Sequence, residues 1–340
     1  MISRISALVC ALVVSVVAGV ALGPVPVPFG VTAELLRAAL TGGVVPADLA
    51  GQYHIVWDIR LPRVLLAAVV GAGLSAVGVA IQAMVRNALA DPYVLGISSG
   101  ASVGATAVAT LGVLQGLGVY ALSTGAFLTG LGATALVYLT ARTSRGLTPL
   151  RLVLTGTALA YGFSAVAMLL VFQAPHGEAA RSAMFWLLGS LGGANWRSLP
   201  VATAVTAAGI AFLGTRTRQL NALAMGDETA TTLGIEVTRF RTQLFVVTAG
   251  ITGVLVAVSG AVGFVGLMLP HLTRMVVGAD HRRVLPIAPL AGASFLVWVD
   301  VAARMLAAPE ELPLGVITAA IGVPCFIFLM RRGTYVFGGR

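Results

Sequence analysis

The chain of 340 residues is 58% hydrophobic and 10% charged, carries a formal net charge of +9, and draws all 21 of its basic side chains from Arg. With a mean hydropathy of +0.97, this composition excludes a pair of soluble domains and predicts one integral membrane domain over residues 1–340, because each crossing takes about 20 mostly apolar residues. The absence of Lys excludes a phosphate-binding P-loop, whose Lys must reach the β- and γ-phosphates, and no basic run is interleaved with aromatics as on a nucleic-acid surface.

Apolar runs in chain order predict ten transmembrane helices, at 5–23, 62–83, 95–113, 118–140, 151–172, 198–215, 241–262, 264–278, 286–305 and 313–330. The first run follows Arg4 and has a signal peptide as its alternative. No small-x-small cleavage site leading into a soluble stretch follows it, so it reads as a span. The polar connection 24–61 holds an amphipathic stretch, 31–40, that reads as an interfacial helix. The apolar segment 183–191 is too short to cross and reads as a half-helix held beside other helices. The connection 216–240 reads as two short helices, with Asp227 as N-cap of the second, Glu228 in its first turn and Gly234 just past its end. That pair is a docking surface or a capped linker, and local pattern does not choose. Gly71 and Gly78 share their spacing with Gly253 and Gly260, a weak echo of an internal repeat, and Gly100-x-x-x-Gly104 has the form of a close-packing face.

With the N-terminus inside and the spans alternating, 15 Arg fall inside and 6 outside, which follows the positive-inside rule. The inner set includes Arg4, Arg86, Arg145, Arg241, Arg282, Arg283 and Arg340, and the outer set is Arg37, Arg60, Arg63, Arg181, Arg197 and Arg304. Little points to catalysis. The four His residues are scattered, no metal-ligand spacing occurs, and Cys10 and Cys325 read as buried thiols without a disulfide. Asp300 and Arg304 are spaced to pair across one helical turn. A central intramembrane carboxylate, the usual need of an ion-driven carrier, is not evident.

Four stretches then carry a resemblance: Arg60 to Gly104, with RLPR and RNALADPYVLG; Met225 to Val237, MGDETATTLGIEV; Ser259 to Pro286; and Glu311 to Arg332, opening with ELPLG. In order and spacing, from about 55 to 335, the chain resembles the FecCD-type ABC importer permeases of vitamin B12, ferric siderophore and haem transport. The resemblance implies an all-α integral membrane protein with ten transmembrane helices per subunit in the type II ABC importer permease fold. It implies a second permease copy in a homodimer or close heterodimer, two cytoplasmic ABC ATPase subunits that hold the ATP and Mg, and an external substrate-binding protein. The chain itself would be no enzyme and would bind no cofactor or metal. It would lie in the bacterial cytoplasmic (inner) membrane with both termini cytoplasmic.

Residue roles follow from the same resemblance. Arg60, Arg63 and Arg304 would dock carboxylates of the binding protein, a task that suits the planar guanidinium fork. Gly226, Asp227, Glu228, Thr231, Leu233 and Gly234 would form the element gripped by the ATPase. Asn87 and Leu89 would form the cytoplasmic gate, with Ala88 standing where Pro is usual, and Pro149 and Leu150 would align with a second gate. Thr155, Gly156, Tyr161, Phe185, Gly189, Ser190, Gly192 and Gly193, with the tenth span, would line the pathway between the copies. The expected cargo is a bulky metal chelate, a ferric siderophore or haem, with cobalamin as the alternative within the family. An ion-coupled secondary transporter and a membrane scaffold are the readings from other classes.

Overall fold

The computed structural model describes residues 1–143 and 146–332. These residues form α1 (Ile2–Ala21), α2 (Phe29–Thr41), α3 (Ala50–Tyr53), α4 (Leu61–Val85), α5 (Ile97–Leu111), α6 (Ala121–Ala141), α7 (Pro149–Phe172), α8 (Gly177–Leu187), α9 (Leu199–Thr215), α10 (Thr217–Met225), α11 (Asp227–Thr232), α12 (Val237–Ser259), α13 (Val265–Val277), α14 (His281–Met305) and α15 (Leu314–Arg332). A π-wound segment, His54–Arg60, joins α3 to α4. Of the arginines assigned to the inner face, Arg145 and Arg340 lie outside the described residues.

The bundle is organised around α4. Pro62 sits in its first turn, where a missing N–H costs nothing. Most of the rest is Val, Ala, Gly and Leu, its few polar side chains (Arg63, Ser75 and Gln82) are hydrogen-bonded, and a helix this apolar all round buries nearly all round. Against it pack α14, α12, α13 and α9. Glycine sets how close they come: a Cβ on Gly78 would lie 1.9 Å from Gly266 O, and one on Gly71 would lie 2.2 Å from Gly292 O. Where lipid tails are as apolar as leucine, such backbone contact supplies the packing energy. The same device joins α5 to α6, where a Cβ on Gly104 would lie 2.2 Å from Gly125 O, so Gly100-x-x-x-Gly104 is a close-packing face. The spacing echo between Gly71/Gly78 and Gly253/Gly260 has no counterpart in packing, since Gly253 meets Ile97 and Phe127 while Gly260 ends α12 at φ +64°.

Among the described residues six helical stretches are long and apolar enough to cross a membrane, among them the continuous Ala47–Val85, and α9 with α10 forms one further pair bent by 65°. Helices α5, α13 and α15 are shorter apolar helices. The 13 residues of α13 rise only about 20 Å, short of a hydrocarbon core of about 30 Å. Each of the ten predicted spans falls on a helix, but α5 is preceded by an irregular stretch, 86–96, that includes a short 3-10 turn at Pro92–Leu95, and α13 by non-helical chain, 260–264.

Three local expectations are corrected. The half-helix is α8, Gly177–Leu187, and the chain then unwinds because its backbone groups are taken by other elements. Ser190 N donates to Ser259 O at 2.9 Å, Leu314 N to Gly189 O at 2.9 Å, and Gly315 N to Leu188 O at 2.9 Å, knitting α8, α12 and α15 together. The N-cap of α11 is Gly226, at φ 123° and ψ 158°, a conformation essentially reserved for Gly; Asp227 is the first helical residue and turns its side chain elsewhere. Cys10 is exposed on α1 and Cys325 is half-buried, so neither is a core thiol. Gly234 does close α11, at φ +78°, with Ile235 N bonding Ala230 O at 3.0 Å.

Candidate functional site

Two ends of the bundle carry the chemistry. At one, Arg60 and Arg63 at the start of α4 meet Arg304 at the end of α14, as their assignment to one face requires. Their forks, however, are not free. Arg60 Nη1 donates to Val20 O at 3.2 Å and Ala21 O at 2.9 Å, and its Nη2 bonds Val25 O. Arg63 Nε donates to Asp300 Oδ1 at 2.7 Å, and its two Nη atoms grip Glu311 at 2.7 and 3.0 Å. Arg304 Nε donates to the other oxygen of Asp300 at 3.0 Å, and its Nη atoms reach Leu22 O and Gly19 O, each at 2.9 Å. The three residues are at most 5% exposed and Asp300 is 0% exposed. The three forks expected to dock the binding protein are thus all engaged within the chain. Three cations drawn among helices stay charged only by spending their donors on carboxylates and on the orphan carbonyls that end α1.

Between the ends lies the unwound linker 260–264. Tyr93 fastens it, its hydroxyl donating to Val262 O at 2.8 Å and accepting from Val262 N at 2.7 Å. Asp91 caps its own turn by accepting from Tyr93 N at 2.9 Å. Non-helical backbone survives at membrane depth only when protein groups satisfy it, and this tyrosine satisfies both polar groups of one residue. Upstream, Arg86 ends α4 in a left-handed conformation at φ 52°, and Asn87 Oδ1 accepts from Leu89 N at 2.9 Å. Asn87 and Leu89, expected to form the gate, thus share one side-chain-closed turn, and Leu89 stands exposed.

At the opposite end from the arginine network, α10 and α11 project from the bundle. Asp227 accepts two bonds from Arg241, at 2.8 Å from Nη2 and 3.2 Å from Nη1, and Nη1 also donates to Leu147 O at 2.9 Å. Glu228, Thr231, Leu233 and Gly234 are exposed, as is Met225, whereas Gly226 is buried. The exposed residues make a small surface of mixed apolar and acidic character.

The residues expected to line the pathway divide. Tyr161 projects from α7 into a cleft of about 460 Å³ shared with Asp91, Tyr93, Ser164 and Phe264. Phe185, Ser190, Gly192 and Gly193 line a second cavity of about 640 Å³ with Trp186, Glu178, Arg181 and Glu311. Thr155 is half-buried. Gly156 and Gly189 are buried and line neither cavity: Gly156 O faces Gly96, and Gly189 backs onto Ala261 O. Among the described residues no group of His, Cys, Asp and Glu is placed to hold a metal ion. Sequence reasoning missed Arg241, Tyr93 and Glu311. The legible signs were an Arg inside the first turns of an apolar helix and polar residues flanking predicted breaks.

The comparisons with known proteins agree with this architecture. Residues 11–332 match the model of the FecCD transport family. The chain is 44% identical over 278 residues to the cobalamin import system permease protein BtuC of Halobacterium salinarum, covering 82% of this chain and 73% of that one. It is 37% identical to the Fe(3+) dicitrate transport system permease protein FecD of Escherichia coli, over 92% of each chain. It is 41% identical to the hemin transport system permease protein HmuU of Yersinia pestis, over 83% of this chain and 84% of that one. In three dimensions it matches an inward-facing metal-chelate type ABC transporter with a TM-score of 0.84 and 32% identity, covering 98% of this chain and 100% of that one. The nearly all-helical bundle, its several apolar spans and these matches together place the chain in the FecCD transport family, as a permease of a type II ABC importer.

Proposed function

We propose that this chain forms half of the passage through which an iron chelate, a ferric siderophore or haem, crosses the bacterial inner membrane, with both termini cytoplasmic, ten spans per copy and a second identical copy completing the path. ATP and Mg belong to two partner subunits, and an external binding protein delivers the cargo. The observation that carries this reading is the pair of cavities on one chain, the ~640 Å³ cavity beside α8 and the ~460 Å³ cleft beside α7. The cleft beside α7 is walled mostly by aromatic rings and small residues, and the cavity beside α8 adds Glu178, Arg181 and Glu311 to such a wall, which suits a bulky, polar-edged cargo.

The α10–α11 end is the ATPase-facing end in this reading, with Met225, Glu228, Thr231 and Leu233 exposed for contact. The arginine end faces the binding protein, where an external carboxylate reaches Arg63 by replacing Glu311, whose side chain is 35% exposed. A cobalamin cargo is the second reading, favoured by the identity with the Halobacterium salinarum permease.

The test is uptake into proteoliposomes that hold this chain with its ATPase and binding protein, with ATP inside and ferric citrate, haem or cyanocobalamin outside. ATP-dependent accumulation of an iron chelate is expected. Accumulation of cyanocobalamin alone selects the second reading, and accumulation without ATP removes both in favour of an ion-coupled carrier.

A further inference from the structure

We propose that Arg241 is a positioning residue that locks the Gly226–Asp227 turn, the start of α12 and the lead-in to α7 into a single lever. The inference rests on the reading of the α10–α11 end as the surface an ATPase grips, and it names the part that carries the grip inward.

The geometry is that of a clamp. Arg241 is 2% exposed, and from α12 its two Nη atoms reach two other elements: both carboxylate oxygens of Asp227 on α11, and Leu147 O, 94 residues away in sequence, just ahead of α7. A bidentate fork resists rotation as well as separation, where a single hydrogen bond would pivot. Helix α11 has six residues, too few to hold its own shape or place without tertiary contacts. Asp227, with Ala230 buried beneath it, is its anchor. On the other side of the same turn, a Cβ on Gly226 would lie 3.3 Å from Arg86 Nη1. Arg86 immediately precedes the Asn87–Leu89 turn. A displacement of α11 is therefore delivered through a rigid fork to α12 and to the start of α7, with the gate turn in contact.

Asp227 accordingly faces inward. Its carboxylate is a strut of the permease rather than a contact for a partner, which leaves recognition to Met225, Glu228 and Leu233.

The test uses the full chain in lipid nanodiscs, with Cys10→Ser and Cys325→Ser and spin labels at Thr232→Cys on α11 and Leu150→Cys on α7, both exposed positions. The native clamp gives one narrow inter-label distance. Arg241→Ala splits or broadens it, and Arg241→Lys, which keeps the charge without the fork, gives an intermediate width. An unchanged distribution in Arg241→Ala overturns the proposal. Should that variant fail to fold, Asp227→Asn carries the same comparison, because it keeps an acceptor oxygen while removing the charge pair.

A second arm adds the ATPase partner. Arg241→Ala is expected to retain that partner and its hydrolysis while uptake per ATP falls about tenfold, the size of an ordinary coupling free energy. Native uptake per ATP in that variant also overturns the proposal. Failure of the native chain to capture an ATPase would overturn the docking reading instead, and leave the distance measurement to judge the clamp.

Discussion

The two ends of this molecule use the same bond for opposite purposes. At one, Arg63 and Arg304 share Asp300 at 0% exposure, and Arg60 fills its donors with carbonyls from the end of α1 and the chain after it. At the other, one Arg–carboxylate pair, Arg241 with Asp227, ties a six-residue helix to the bundle, and the carboxylate side is 42% exposed. The first network joins long helices that are already packed, so its Asp300 core closes the bundle. The second joins short elements with little burial of their own, so it can hold their relative placement while the whole unit moves. Burial of both partners makes a staple, and burial of one makes a joint.

Removing the shared carboxylate is the strongest way to break that contrast. Asp300→Ala leaves buried Arg304 with backbone carbonyls alone and Arg63 with Glu311, and breaking a buried pair in this way costs about 3–5 kcal/mol. Thermal unfolding in detergent should show the largest drop of any substitution discussed here. By the same reasoning Arg241→Ala leaves an Asp227 that water can reach, for a cost of about 2 kcal/mol. Equal losses for the two variants would erase the distinction between staple and joint.

Packing gives the next effect. Gly78→Ala drives a methyl toward Gly266 O, which would stand 1.9 Å away. The helices must part, at about 1–3 kcal/mol. A variant with unchanged melting would show that α4 and α13 can separate freely. Tyr93→Phe removes both partners of Val262 and should cost about 1–3 kcal/mol. Amide exchange at 260–264 should rise in that variant, while exchange in α4 stays slow.

The smallest effect is a pH dependence at the joint end. Asn221 Nδ2 and the backbone N–H of Arg282 hold the Asp280 carboxyl below its usual value. A depressed carboxyl binds fewer protons in the folded state, so it stabilises above the ordinary carboxylate pKa of about 4. That contribution is lost as pH falls through the folded value. Asn221→Ala should flatten this acid limb slightly, and an unaltered limb would mean the carboxylate is held by other groups.

Much of the candidate site was legible because it sits at breaks in pattern. RLPR, the RNALADP turn and the MGDETATTLG segment interrupt apolar runs, and a polar group beside a span needs a reason. The reason itself was less legible. The resemblance implies a docking role for Arg60, Arg63 and Arg304 and topology places them outside, but neither encodes the carbonyls at the end of α1 that take up their donors. The resemblance implies Gly156 and Gly189 on the pathway, but which side of a nearly all-apolar helix faces a cavity depends on its neighbours.

What the sequence determined by itself is the medium and the segmentation. Composition and run length require a membrane bundle, and the missing Lys denies it a P-loop, because both follow from local chemistry that no fold can change. What only the tertiary structure decided is which charges meet. Arg63 finds Asp300 and Glu311 more than 230 residues away, and Arg241 finds Leu147 O across 94. A buried charge takes whatever partner the packing brings within reach, and periodicity along one helix does not encode that reach.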